Sequence, residues 1–151
     1  MISALAPKML ALAGRECAGT ITWMTGAKTI AEHTAPRIRA SADEAGRAAP
    51  RIVAGLPVCV CDSAEEARAQ ASKTFAVYNT LPSYRAMLDR EGGGGPESIA
   101  VVGTEEEVAR QLDGLATAGV TDFLGAPFTM GPDKAASYER TRAFLQQRAN
   151  G

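Results

Sequence analysis

The sequence predicts an α/β fold built on a parallel sheet, and three observations carry that expectation. Short apolar, β-branched runs alternate with longer amphipathic segments. The clearest run, Arg51 to Cys61 (RIVAGLPVCVC), is apolar on both faces, as a sheet covered on both sides requires. The amphipathic segments open on capping patterns and close on glycine or proline. Three strands are expected, each preceded by a helix, with an opening stub as a possible fourth. A closed eight-stranded α/β barrel takes roughly 250 residues, so the 151 residues amount to about half of one, or else to a small open sheet.

In chain order, Pro7 sits where a first helical turn tolerates it, and Lys8 to Gly14 reads as a short helix closed by glycine. Gly19 to Met24 (GTITWM) is the first full strand, compact and bounded by Gly19 and Gly26. Thr29 with Glu32 has the form of a capping box for a helix running toward Ala45 and ended by Gly46. Pro36 falls inside this span, which implies a kink or a later start. In the Arg51–Cys61 strand, Ile52, Leu56, Val58 and Val60 share one face and Val53, Cys59 and Cys61 the other. Pro57 marks a bulge, a strand end or an edge, since it cannot donate to a ladder.

Ser63 with Glu66 opens the next helix, broken at Pro82, and a short helix follows from Ser83 to Arg90. Gly92 to Pro96 (GGGGP) reads as a flexible loop; it lacks the spacing of a phosphate-cradling loop. Thr104 with Glu107 starts a helix carrying Val108, Leu112 and Leu115, and Val120 to Phe128 forms the last strand. A closing helix runs from Asp133 through Tyr138, Phe144 and Leu145. The whole span 1–151 is expected to be a single domain.

Composition narrows the function classes. Sixteen Lys and Arg against seventeen Asp and Glu leave a net charge of -1, without the basic footprint of a nucleic-acid or anionic-membrane binder. No stretch approaches the roughly 18–20 apolar residues of a membrane span. The start MISALAPKML lacks the basic region and apolar core of a signal peptide, so a cytoplasmic location is expected. The cysteines Cys17, Cys59 and Cys61 are read as reduced thiols, the latter two as small hydrophobes. One histidine, His33, and no Cys-X-X-Cys pair argue against a metal centre. His33 itself is read as a partly exposed helical residue, and Asp122 as the partner of a neighbouring backbone group or cation.

Three segments in order, ALAPKMLALAGRECAGTITWMTG, AGRAAPRIVAGLPVCV and VVGTEEEVARQLDGLATAGVTDFLGAPF, resemble the C-terminal half of the luciferase-like monooxygenase superfamily. Within it the likeness is strongest to oxidoreductases that use the deazaflavin coenzyme F420 rather than FMN. The resemblance implies a partial TIM (β/α)8 barrel, about half of one, with the N-terminal half of the family absent from the chain. It also implies that a loop between strand and helix holds the coenzyme's phosphate through backbone amides, at Ser3, Ala4, Leu5 and Ala6. Independently, small residues before a helix N-terminus permit close approach of an anion to unpaired N–H groups; the plainer reading is that Ala6-Pro7 only starts a surface helix. Thr25 and Gly26 would lie at the C-terminal rim and join the cofactor site, and Lys28 is a candidate for an anionic substrate group or else a solvated lysine. Tyr78, Tyr84 and Arg85 fall in a region that in the family lies near cofactor or subunit contact. Where the family usually reads Ala-Asp-Gly, this chain has Cys17-Ala18-Gly19.

The chemistry implied is hydride transfer between coenzyme F420, or alternatively FMN, and an unidentified small organic substrate, with no catalytic residue assigned within this half. An incomplete barrel leaves strand edges and an apolar inner face. A second copy of the chain, or the N-terminal half of the same barrel, is the expected cover, and an isolated monomer is expected to be inactive. The alternative is a noncatalytic cofactor-binding or interaction module derived from that fold.

Overall fold

The computed structural model describes residues 1–150. Its strands are β1 (Ile2–Ser3), β2 (Gly19–Trp23), β3 (Arg51–Val60), β4 (Val101–Gly103) and β5 (Asp122–Pro127), all paired in parallel. The helices are α1 (Pro7–Glu16), α2 (Ala27–Thr29), α3 (Ala35–Glu44), α4 (Ala64–Thr74), α5 (Pro82–Glu91), α6 (Glu105–Thr117) and α7 (Lys134–Asn150).

Register fixes the arrangement. Val53, Ala54 and Gly55 each lie opposite residues of both β2 and β5, and Val58 lies opposite both Val101 and Pro127. Hence β5 runs along one edge of β3, while β2 and the short β4 share the other. Apart from β4, the strands follow one another as β1-β2-β3-β5, the parallel order of an arc of a (β/α)8 barrel. Pro57 sits in mid-strand instead of at an end, a bulge or an edge. Its missing N–H faces the interval where β2 pairing has stopped at Gly55 and β4 pairing has yet to begin at Val58, so no ladder bond is lost.

The two faces of β3 have different neighbours. Ile52, Ala54, Leu56, Val58 and Val60 pack under the helices with Leu10, Ala13, Ile38, Val108 and Leu115. The opposite, inward face carries Val53, Gly55, Pro57 and Cys59, flanked by Ile21 and Trp23 from β2 and Leu124 from β5. Ile21 is 38% exposed and Leu124 53%, so this concave face is apolar and open toward its N-terminal end. Close packing on the outer side depends on Gly14, where α1 meets α3: a Cβ there would stand 3.0 Å from both the Ala42 nitrogen and the Ser41 Cβ.

Local structure departs from the sequence expectation at the second helical segment. Thr29 does not cap it; the helix already begins after Gly26, and Ile30–Thr34 forms a widened π turn before α3. Pro36 follows directly. A proline crowds the carbonyl four residues back and cannot donate, and the widened turn takes up that misfit without a break. Elsewhere the capping chemistry is as read: Ser63 Oγ accepts from Glu66 N–H, and Thr104 and Glu107 form the reciprocal box. β4 has no counterpart among the expected strands.

Among the described residues no helix is long and apolar enough to cross a membrane, and no cluster of His, Cys, Asp or Glu is placed to hold a metal.

Ion pairs centred on arginines tie distant segments, Arg148 on α7 with Asp113 on α6 among them. Arg51 binds Asp122 across β3 and β5 at the N-terminal end of the inward face, and Arg140 on α7 binds Glu105 at 2.8 Å and Asp62 at 2.9 Å. The Arg51 hydrogen bonds, aided by the Thr121 hydroxyl, hold Asp122 down to about 2, and Arg140 does the same for Glu105, also to about 2. Because the folded values lie below the usual carboxylate range of about 4, this stabilisation is present above that range and is lost as pH falls through about 2. Glu105 is exposed and Asp122 partly so, and solvent screening keeps the contribution of each pair small. The double variant Asp122→Asn, Glu105→Gln is therefore expected to lose less melting temperature than the unaltered chain between neutral pH and pH ~2.5. Equal losses in thermal scans would refute this assignment.

Candidate functional site at the strand C-terminal ends

The strands run parallel, so their C-terminal ends share one rim. At β1, the chain turns through Ala4, Leu5 and Ala6 into α1. The helix has Pro7 at its first position and no side-chain cap at Ala6, so its first N–H groups face outward unmatched by a side chain. Ala4 is buried and its N–H lies 3.1 Å from Thr20 Oγ1, whose hydroxyl can donate back to the Ala4 carbonyl at 3.3 Å. Ser3 and Ala6 are exposed and Leu5 is half-buried.

At β2, the fully buried Met24 holds a φ of 54°, a left-handed conformation unusual for a side-chain-bearing residue. It re-aims the chain into Thr25 and Gly26, both buried, with the Thr25 hydroxyl donating to the Trp23 carbonyl at 3.2 Å. The N-terminus of α2 is occupied from within the chain. Glu91 Oε1 accepts from Lys28 N–H at 3.1 Å and Oε2 from Thr29 N–H at 2.9 Å, while the Thr29 hydroxyl lies 2.6 Å from Oε2. Glu91 is the last residue of α5, an unfavourable place for an acid against that helix's own dipole; it is matched to the positive end of α2 instead. The Lys28 side chain is exposed.

Over the C-terminal half of the inward face lies an aromatic cluster. Trp23 meets Phe75 edge-on at 6.4 Å and Tyr78 at 6.0 Å, Phe75 meets Phe128 at 5.7 Å, and Tyr78 meets Tyr84 at 4.9 Å. The buried Trp23 Nε1 has no hydrogen-bond partner. Arg85 turns away from this cluster to Asp89, Asn79 and the Gly94 carbonyl, and so anchors the glycine-rich loop. At the C-terminal end of the inward face, burial pushes the Cys59 thiol up, as expected of an inert strand cysteine. A cleft of 760 Å³ lies away from the rim, between α6, β5 and α7.

The structure thus brings Ser3, Ala4, Leu5 and Ala6 together with the β2 end that carries Thr25 and Gly26. It also adds a residue that the sequence placed differently. His33 is not partly exposed: it is 2% exposed, and its Nε2 lies 2.9 Å from the Leu5 carbonyl oxygen. Burial lowers its pKa from the ordinary value, outweighing the Leu5 bond, with Arg90 and Arg37 acting in the same direction as burial. A signal for Glu91 was present in its helix-terminal position. None was present for His33, because the π turn that buries it leaves no mark in the apolar periodicity.

The sequence profile of the luciferase-like monooxygenase family matches residues 1–122. No curated protein matches the chain. Among solved structures, a coenzyme F420-dependent tetrahydromethanopterin reductase from Methanopyrus kandleri superposes with a TM-score of 0.69 at 21% identity, covering 91% of this chain and 47% of that one. An F420-dependent secondary alcohol dehydrogenase, solved with an F420-acetone adduct, gives 0.66 at 18% identity over 95% of this chain and 47% of its own. The oxygenating constituent of 3,6-diketocamphane monooxygenase from Pseudomonas putida, solved with FMN, gives 0.65 at 16% identity over 95% and 45%. The chain spans about half the length of these structures.

Proposed function

The chain belongs to the luciferase-like monooxygenase family, and from that premise we propose that it forms the C-terminal half of a flavin-type oxidoreductase site, binding coenzyme F420 or, alternatively, FMN. The observation that carries this reading is the rim itself: an uncapped helix N-terminus at Ala6 stands beside an apolar, aromatic-lined sheet face. A phosphate suits the first, since helix N-terminal N–H groups and the helix dipole favour an anion. A planar ring suits the second, and the orphaned Trp23 N–H sits at the same face.

In this reading Ser3, Ala4, Leu5 and Ala6 hold the phosphate through the backbone, and Thr25 and Gly26 shape the adjoining rim. Trp23 and Phe75 orient the ring and exclude water, while Lys28 stands outside as a contact for an anionic substrate group. The bound coenzyme would supply hydride transfer to or from a small organic substrate. Ile21 and Leu124 are covered by the N-terminal half of the barrel or by a second copy of the chain, which completes the site.

Ala6→Asp tests the reading without weakening the helix. Aspartate is a favourable N-cap, so α1 is retained or stabilised, while its carboxylate takes the N–H groups and repels phosphate. Titration of F420 and of FMN, followed by absorbance and fluorescence, is expected to show binding by the unaltered chain and about tenfold weaker binding by A6D. Failure of both coenzymes to bind, or equal binding by A6D, would overturn the proposal.

A further inference from the structure

We infer that His33 is a positioning residue that clamps the β1–α1 loop and turns its amides toward the rim, an assignment that rests on the phosphate reading above for its purpose. Three consecutive carbonyls in this loop are each held. Ala4 oxygen faces the Thr20 hydroxyl at 3.3 Å, Leu5 oxygen faces His33 Nε2 at 2.9 Å, and Ala6 oxygen accepts from Leu10 N–H at 3.0 Å. Thr20 belongs to the neighbouring strand and Leu10 to the helix itself, so both of those bonds come with the fold. The middle bond alone is supplied from outside these elements, by a side chain on the π turn.

A carbonyl oxygen only accepts, so Nε2 must carry the hydrogen. The peptide unit is planar and trans, with its C=O and N–H pointing in opposite directions. Holding the Leu5 carbonyl toward His33 therefore directs the Ala6 N–H the other way, alongside the free N–H groups at the start of α1. The widened turn is what makes this possible. His33, Thr34 and Ala35 are buried in succession, a pattern that regular helical periodicity does not give to a surface helix. The arrangement also leaves His33 Nδ1 buried without a partner. An apolar side chain of similar size would avoid that penalty, so the packing of this position gives no reason for a histidine, whereas the bond to Leu5 does.

Two substitutions test the clamp. In H33Q the amide nitrogen can reach the position of Nε2 and still donate; in H33L the volume is retained and the donor lost. Amide hydrogen exchange at Leu5, Ala6, Lys8 and Met9 is read alongside F420 and FMN affinity and the melting temperature. H33L is expected to speed exchange in the loop and to weaken coenzyme binding, each by about tenfold, with H33Q within about threefold of the unaltered chain. If H33L fails to fold, H33N replaces it, since its shorter amide stops short of Leu5. Unchanged loop exchange in the donor-less variant, or H33Q behaving like it, would overturn the clamp. If neither coenzyme binds the unaltered chain, the proposed function falls, and the exchange comparison still decides the clamp by itself.

Discussion

Gly19→Ala is expected to destabilise the fold by about 3 kcal/mol or more, a fall of about 6–12 °C in melting temperature for a chain of this size. Gly19 opens β2 with a φ of 148°, a conformation that side-chain-bearing residues rarely adopt. Its register partner is Arg51, the first residue of β3, and Arg51 N–H donates to the Ala18 carbonyl at 2.9 Å. A Cβ at position 19 would fall on the Arg51 carbonyl and stand 2.8 Å from the Arg51 nitrogen. Backbone cannot rotate away as a side chain can, so the substitution must part the two strands where their pairing begins. Thermal unfolding followed by circular dichroism measures the effect, and a fall of less than about 2 °C would show that the strands part without consequence.

Leu56→Ala is expected to cost about 2–5 kcal/mol, seen as a lower urea midpoint with an unchanged slope. Leu56 is 1% exposed and lies on the helix-covered face of β3, beside Ala54 and Val58 and under α6. The central strand has neighbours on both edges, so the sheet has little freedom to collapse into the vacated volume. The contrast with Val53 makes the prediction specific. Val53 stands on the inward face and is only half-buried, so Val53→Ala should lose about 1 kcal/mol or less in the same titration. Similar losses at both positions would contradict the asymmetry of the two faces, and with it the argument that the inward face awaits a cover.

Much of this architecture was legible in the chain because it is local. Alternation in β3 assigns Ile52, Leu56, Val58 and Val60 to one face before any fold is known, since side-chain direction in a strand has a period of two. Thr104 and Glu107 announce α6 through hydrogen bonds that close within four residues. The β1–α1 loop was likewise marked, by small residues ahead of a proline that fits a first helical turn. Asp122 is expected to take a neighbouring backbone group or a cation, and the structure selects the second, with Arg51 as the cation.

Only the tertiary structure decided the rest. β4 is three residues long, too short for a period, and exists because β3 extends past the end of β2 and offers a free edge there. That same gap excuses Pro57. Glu91 reaches α2 across more than sixty residues, and His33 reaches Leu5 only because an added residue in the helix turns it inward. What the chain determined by itself was the kind and facing of each element, through interactions between residues a few positions apart. Which partner each edge, helix end and buried polar atom would find depends on distances between residues far apart in sequence, and those are set only when the sheet has assembled.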